Sequence, residues 1–590
     1  NVANGLTVKG VQGGSGIEAA GEAHKITVGG LTDVNIAANG TNAIAAADGS
    51  SIALNGGASL DVIGTGDVSG IKANGGNVTV SGDKAVVKAS TTGAGAKAYA
   101  LNNIGSGDIT INTGYAGVEL TAKAASGEAQ AIGNSGTGKV TVKTSGQASF
   151  DVTGQNAKGL SSNSGAGITI SAAGGSSYAV TATSGDAAGI TASGAALDYG
   201  KVNNVNVSAT GGDAYGLAAV NGGTLSGDAN SSIKNIIVTE NTAGKTAYGI
   251  LASGDSTVKA GAIDAISVSS AGTGYGVLVS DSSKLTAKIG SITVNASDDA
   301  YGLYAPSSES KLDVSISGPV KVTTENGKAI GVYSASGGVT VSDDQAVITA
   351  TSKTGDASAI TPDSGDITVK ETSGVDLTAK TDTGTATGVN VGTGKTVDIA
   401  TAGTVSADVT GASAYGFKAE KGNTAADSLI NIAAGKDITI KAAATNGTAA
   451  GLYASGDIAK ITYKADGALD LNVSNTSGDA YGIRTANGGV ISGEAANSGS
   501  VTVEATSGDA WGLAATNGGK LSGDANRAIS NVTVTAKTAG KTAYGLFASG
   551  DAAINGTNIK QLTVNSAGSG AGIYANNSSV DVKADHVTAS

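Results

Sequence analysis

The chain has 590 residues, a net charge of −12, and neither cysteine nor methionine. Glycine, at 93 residues, is about double its usual share, while charged residues at 14% fall well short of the usual quarter. Disulfide scaffolds, zinc ribbons and thiol enzymes are excluded, and the acidic balance argues against nucleic acid or an anionic membrane as partner.

The chain opens on a strand-like Gly5-Leu6-Thr7-Val8 and at once enters a repeat. Ser15-Gly16-Ile17, Ser69-Gly70-Ile71, Lys158-Gly159-Leu160 and Ala188-Gly189-Ile190 are degenerate copies of a unit that becomes explicit at Tyr215-Gly216-Leu217. The explicit form recurs at Tyr248, Tyr275, Tyr301, Tyr415, Tyr481, Trp511 and Tyr544, with further degenerate copies at Thr387 and Ala571. About 20 copies are spaced by roughly 29 residues, and repetition at such a period is the mark of a stacked architecture.

Each period reads the same way. A strand carries the Tyr-Gly-Leu unit, and an N-G-G or S-G-D turn follows. Then come a short strand such as Thr224-Leu225-Ser226 and a strictly alternating one such as Asp108-Ile109-Thr110-Ile111 or Asn531-Val532-Thr533-Val534-Thr535. Alternating β-branched residues between Gly, Asn and Asp turns predict half-buried strands. Three short strands per period predict an all-β fold, a single extended parallel β-helix of about 20 rungs. One rung cannot cover its own inward face, but its neighbours can, at ~4.8 Å per rung, which makes a rod about 95 Å long. The hydrophobic residue after the Gly points inward, and the core is thin and built from small side chains. Residues 212–255 and 508–551 align without a gap at 32 identical positions, which marks an internal duplication. The expectation is one continuous solenoid over residues 1–590, with no barrel, transmembrane or signal segment in it.

Gly/Ala/Ser/Thr-rich units of the form GDAYGLxA-x-NGG-LSGD, covering nearly the whole chain, resemble the passenger regions of bacterial autotransporter (type V secreted) proteins and related adhesin-like surface β-helices. The resemblance implies secretion, an extracellular or cell-surface location, and a structural or adhesive role. The lack of cysteine is also what such a family shows.

Candidate chemistry is sparse. Gly392-Thr393-Gly394-Lys395-Thr396 and Gly244-Lys245-Thr246 contain GKT, but Val389 and Thr239 stand where a phosphate loop needs its first Gly. Gly105-Ser106-Gly107-Asp108-Ile109 is one residue short of the calcium nonapeptide spacing and is not in tandem. Asp479 and Asp509 fall at one place on consecutive rungs, about 5 Å apart, which reads as solvated turns before it reads as a cation site. Asp298-Asp299 and Asp343-Asp344 are adjacent, and strand alternation sends them to opposite faces. His24, His586, Arg484 and Arg527 form no cluster with acids, so no enzyme, cofactor or metal site is expected.

One feature has binding promise. Tyr215, Tyr248, Tyr275 and Tyr301 hold one place on successive rungs, and Tyr481, Trp511 and Tyr544 do so again. These rings are the expected ligand or partner surface. The competing role is stabilisation of the ladder by stacking, which simple alternation favours because it sets Tyr on the same side as the inward Leu. The expected partners are a host or neighbouring-cell surface glycan or protein. An alternative is the chain itself, since uncapped ends would stack head to tail into a filament. A polysaccharide-active enzyme ranks below both.

Overall fold

The structure, a computed structural model, describes residues 6–29, 34–163, 166–227, 232–307, 309–334, 338–363, 365–392, 394–421, 426–497, 499–523 and 528–590. Gly5, Thr393 and Arg527 lie outside the described residues. Among those described, every regular element is a β-strand, so no helix long and apolar enough to cross a membrane occurs there. The chain divides into two compact units, Asn1–Gly290 and Ser291–Ser590. Each is a parallel β-solenoid, and each carries ten described strands of the Tyr-Gly-Leu kind. The predicted all-β parallel solenoid is therefore observed, with a number of rungs close to the predicted one.

One coil of the first unit shows the plan. Ala214–Val220 forms one wall and pairs in parallel with Ala187–Ser193 below and Thr246–Ala252 above. The chain then turns through Asn221 and Gly222, at φ of 52° and 78°. Two successive left-handed residues are what a type I′ turn requires, which is why the sequence writes N-G-G there. Thr224–Ser226 and Ser232–Glu240 build the second and third walls. Both pair with the single long strand Thr257–Ser270, which rounds the corner between those walls. In the second unit Lys520–Ser522 and Ala528–Ala536 likewise share Ala553–Ser566 as partner.

Burial follows the alternation. In Ile109–Ala124 the isoleucines Ile109 and Ile111 are fully buried, while Thr110 between them is partly exposed. The residue after the Gly is buried along the Tyr-Gly-Leu wall up to its last strand: Leu217, Ile250 and Val277 lie in register and are fully buried, while Ile573 is 43% exposed. Each coil leaves room for little more than one layer of Val, Ile, Leu and Ala, whose stiff side chains lose little freedom there. The larger exceptions are Tyr199 and the stacked pair Phe150–Tyr178 (centroids 4.5 Å apart) in the first unit, and Phe417 in the second.

Candidate functional site

The site begins with a glycine. Alternation places Tyr215 and Leu217 on one side, yet Tyr215 is half-buried on the outside while Leu217 is inside. Tyr215 pairs with Tyr248 and Leu217 with Ile250, and the pairing skips Gly216. Gly216 is itself buried and faces the core. A Cβ there would lie 2.5 Å from the Gly249 carbonyl oxygen and 2.5 Å from Ile236 Cγ2 on the opposite wall. Two consecutive inward residues shift the phase of the strand by one, as in a bulge. The expectation that Tyr shares a face with the inward Leu is thereby corrected.

The phase shift creates two outward columns, not one. The first holds the Tyr position and the second lies three residues on. In the first unit the first column runs Ser15, Asn42, Ser69, Tyr99, Gln130, Lys158, Ala188, Tyr215, Tyr248 and Tyr275. Its early half is polar: Glu128 receives Lys158 at 3.1 Å and Lys97 at 3.5 Å, and accepts from the Gln130 amide at 2.6 Å. Burial pushes the Glu128 carboxyl up, but Lys158, Gln130 and Lys97 together hold it below its ordinary value. Its late half is aromatic: Tyr215, Tyr248 and Tyr275 stack with centroids 5.0 and 5.3 Å apart and planes within 7°.

Tyr301 belongs to the second unit, where it meets Tyr304 at 4.7 Å and Tyr333 at 6.0 Å. Further on, the first column runs Tyr415, Ala450, Tyr481, Trp511, Tyr544 and Ala571. Beside it the second column runs Lys418, Tyr453, Arg484, Ala514, Phe547 and Tyr574. Small residues in one column face large ones in the other, so the side chains close into a continuous ridge. Tyr481 and Trp511 stack at 4.4 Å, and Phe547 and Tyr574 at 5.1 Å. Lys418 sits 4.9 Å over Tyr415, and Arg484 sits 4.3 Å over Tyr481 and 5.4 Å over Tyr453. Tyr481, covered in this way, is only 8% exposed. The second column, with Tyr304, Tyr333, Tyr453, Arg484, Phe547 and Tyr574, is absent from the sequence reading. Its signal was there, as bulky residues recurring three places after the Tyr.

The rings of the ladder stack along the rung direction, since their separations match the rung spacing of ~4.8 Å. In the stacked pairs each ring covers its neighbour's face and turns an edge outward, whereas Tyr415–Tyr453, Tyr544–Phe547 and Tyr544–Tyr574 meet at 50–52°. Stacking of this kind contributes to a ladder, and where rings stack their edges and tips face outward.

The acidic part of GDAYGL has a structural task. Asp213 Oδ1 accepts the Thr246 N–H of the next coil at 2.9 Å, and its Oδ2 accepts the Tyr215 hydroxyl at 3.3 Å. Asp299 does the same for Lys328 N–H and Tyr301. Asp479 accepts Asp509 N–H at 3.2 Å and the Tyr481 hydroxyl at 3.5 Å, and Asp509 accepts Thr542 N–H at 2.8 Å. These turns are stapled from coil to coil. Burial first, and the Asp213 carboxylate next, push the Tyr215 hydroxyl well above the ordinary tyrosine range. Asp298 and Asp299 lie in a turn and not on a strand, which corrects the alternation argument for that pair. Asp108 of the near-nonapeptide accepts Lys139 N–H at 2.7 Å. His24 and His586 are exposed, in different units. Among the described residues no three His, Asp or Glu side chains converge on a place that could hold a metal ion.

No protein-family model, curated protein or solved structure matches the chain.

Proposed function

We propose that this chain is a secreted structural and adhesive protein of the bacterial cell surface, without catalytic activity, that holds its partner through repeated weak contacts. The observation that carries the reading is the outward aromatic ridge of the second unit, from Tyr415 to Tyr574, held on a fully paired ladder. Each rung offers a similar small contact, and many such contacts on one scaffold raise avidity far above the affinity of any one. Aromatic side chains supply large contact area at low entropic cost. A Gly/Ser/Thr-rich exterior without cysteine is of the kind shown by the exported passengers that the sequence resembles.

The test uses the full chain coated on beads and counts cells retained under flow. The variant Trp511→Thr/Tyr544→Thr/Tyr574→Thr removes ring edges from three rungs. Thr already stands in these columns at Thr387 and Thr361, so the ladder accommodates it. The expected result is loss of most retention with an unchanged β-sheet spectrum. Equal retention by the variant overturns the reading.

A further inference from the structure

Resting on that reading, we infer that the ridge of the second unit takes an acidic polysaccharide, with Arg484 as the group that recognises its carboxylates.

The chain carries −12 overall, yet between Tyr415 and Tyr574 the charged residues in the two outward columns are Lys418 and Arg484, both cations. Lys418 has a partner, Glu420 at 2.8 Å. Arg484 is held differently. Its guanidinium lies against the rings of Tyr481 and Tyr453, and its Nε is buried with no hydrogen-bond partner. The acids at this height are engaged elsewhere: Asp479 by Asp509 N–H and the Tyr481 hydroxyl, Asp509 by Thr542 N–H. Arg is one of two in 590 residues, and this one is placed where two rings flatten it and leave its fork for a ligand.

Ring orientation points the same way. An aromatic ring is negative on its faces and positive at its edge. In this ridge Tyr481 stacks on Trp511 and Phe547 on Tyr574, and the two cations lie over Tyr415, Tyr453 and Tyr481, so around Arg484 the ring edges that remain favour negative charge. Long-range repulsion from the acidic chain is screened beyond roughly 8–10 Å in physiological salt, so the ridge's own charge decides contact.

Geometry selects a polymer. Lys418 and Arg484 occupy one column two rungs apart, roughly 10 Å, a distance comparable with a disaccharide. A carboxylate on alternate sugars meets Arg484 at one step and reaches Lys418 at the next, where it competes with Glu420. The ridge is two columns wide, which fits a chain laid along it and not a planar membrane.

The experiment is affinity electrophoresis of the full chain in gels containing hyaluronan, and in gels containing carboxyl-reduced hyaluronan, which keeps the backbone and lacks the charge. The expected result is binding to the acidic polymer about tenfold tighter than to the reduced one, the effect of one charge-assisted pair. Arg484→Gln should abolish that preference. Arg484→Lys, which keeps charge without the planar fork, should restore part of it. Lys97→Gln in the first unit should change nothing. Equal retention of both polymers by the native chain, or an intact preference in Arg484→Gln, overturns the inference. Retention of neither polymer overturns it too. In each case the adhesive reading stands if the three-rung Thr variant still loses its hold on cells, and falls with the inference if it does not.

Discussion

Replacing Gly216 by alanine adds one methyl group at the place where two coils and two walls meet. Its Cβ would stand 2.5 Å from the Gly249 carbonyl oxygen, 2.5 Å from Ile236 Cγ2 and 3.1 Å from Val238 Cγ2. Ordinary contact begins at 3.4 Å, so about 0.9 Å must open on two sides at once. The carbonyl cannot retreat without stretching the ladder between neighbouring coils, and Ile236 is fully buried. Overpacking of this kind costs about 1–3 kcal/mol, and one weakened ladder bond adds about 1 kcal/mol. The expected loss is about 2–4 kcal/mol, confined to the coils around residues 214–252. Gly222→Ala is the control: nothing lies within 4 Å of its Cβ, and only its φ of +78° resists the change, at about 1–2 kcal/mol. A melting curve averages over coils in a stacked repeat, so the assay is hydrogen exchange by mass spectrometry on peptides covering Ala214–Val220 and Thr246–Ala252. Equal loss in the two variants, or a Gly216→Ala loss below about 1 kcal/mol, refutes the account of why Tyr215 faces outward.

Two further outcomes follow from the same geometry. Asp213→Ala removes the acceptor for Thr246 N–H and for the Tyr215 hydroxyl, and should destabilise that turn by about 1–3 kcal/mol. Asp213→Asn should be nearly neutral in hydrogen exchange of the same peptides, since Asn156 Oδ1 already does this work for Asp186 N–H at 2.9 Å; an equal loss in both variants would show that charge, not the acceptor, matters. Burial pushes the Tyr463 hydroxyl up to about 12, and burial first, opposed by Arg484 and aided by Asp479, raises Tyr481. Their unfolded values lie near 10, so the unfolded chain releases these protons first. The stability they contribute is intact below pH 10 and is lost as pH rises through the folded value. Tyrosinate absorbance and the sheet signal, followed together, should show Tyr463 ionising near pH 12 and Tyr481 well above the ordinary tyrosine range, or both on unfolding; complete ionisation near pH 10 with the sheet intact contradicts it.

Much of this protein is written along the chain. The period of about 29, the three strands per coil, the inward Leu217, Ile250 and Val277, and the N-G-G turns all follow from local pattern. A stacked repeat makes that possible, because every coil meets a near copy of itself and the same residue types recur at the same contact. The outward columns were only half legible. Tyr215, Tyr248, Tyr275, Tyr481, Trp511 and Tyr544 were singled out, but the face they occupy and the companions Tyr453, Arg484 and Phe547 were not. Whether Gly216 keeps or breaks the alternation is decided by the Gly249 carbonyl of the next coil and by Ile236 across the core. Likewise the Asp before each Tyr looked like a turn residue, and its second role appears only when the N–H of the following coil arrives beside it. Local pattern determines which residues repeat. The phase of a strand, and therefore what it shows to a partner, is set by atoms about 20 to 33 residues away that only folding brings into contact.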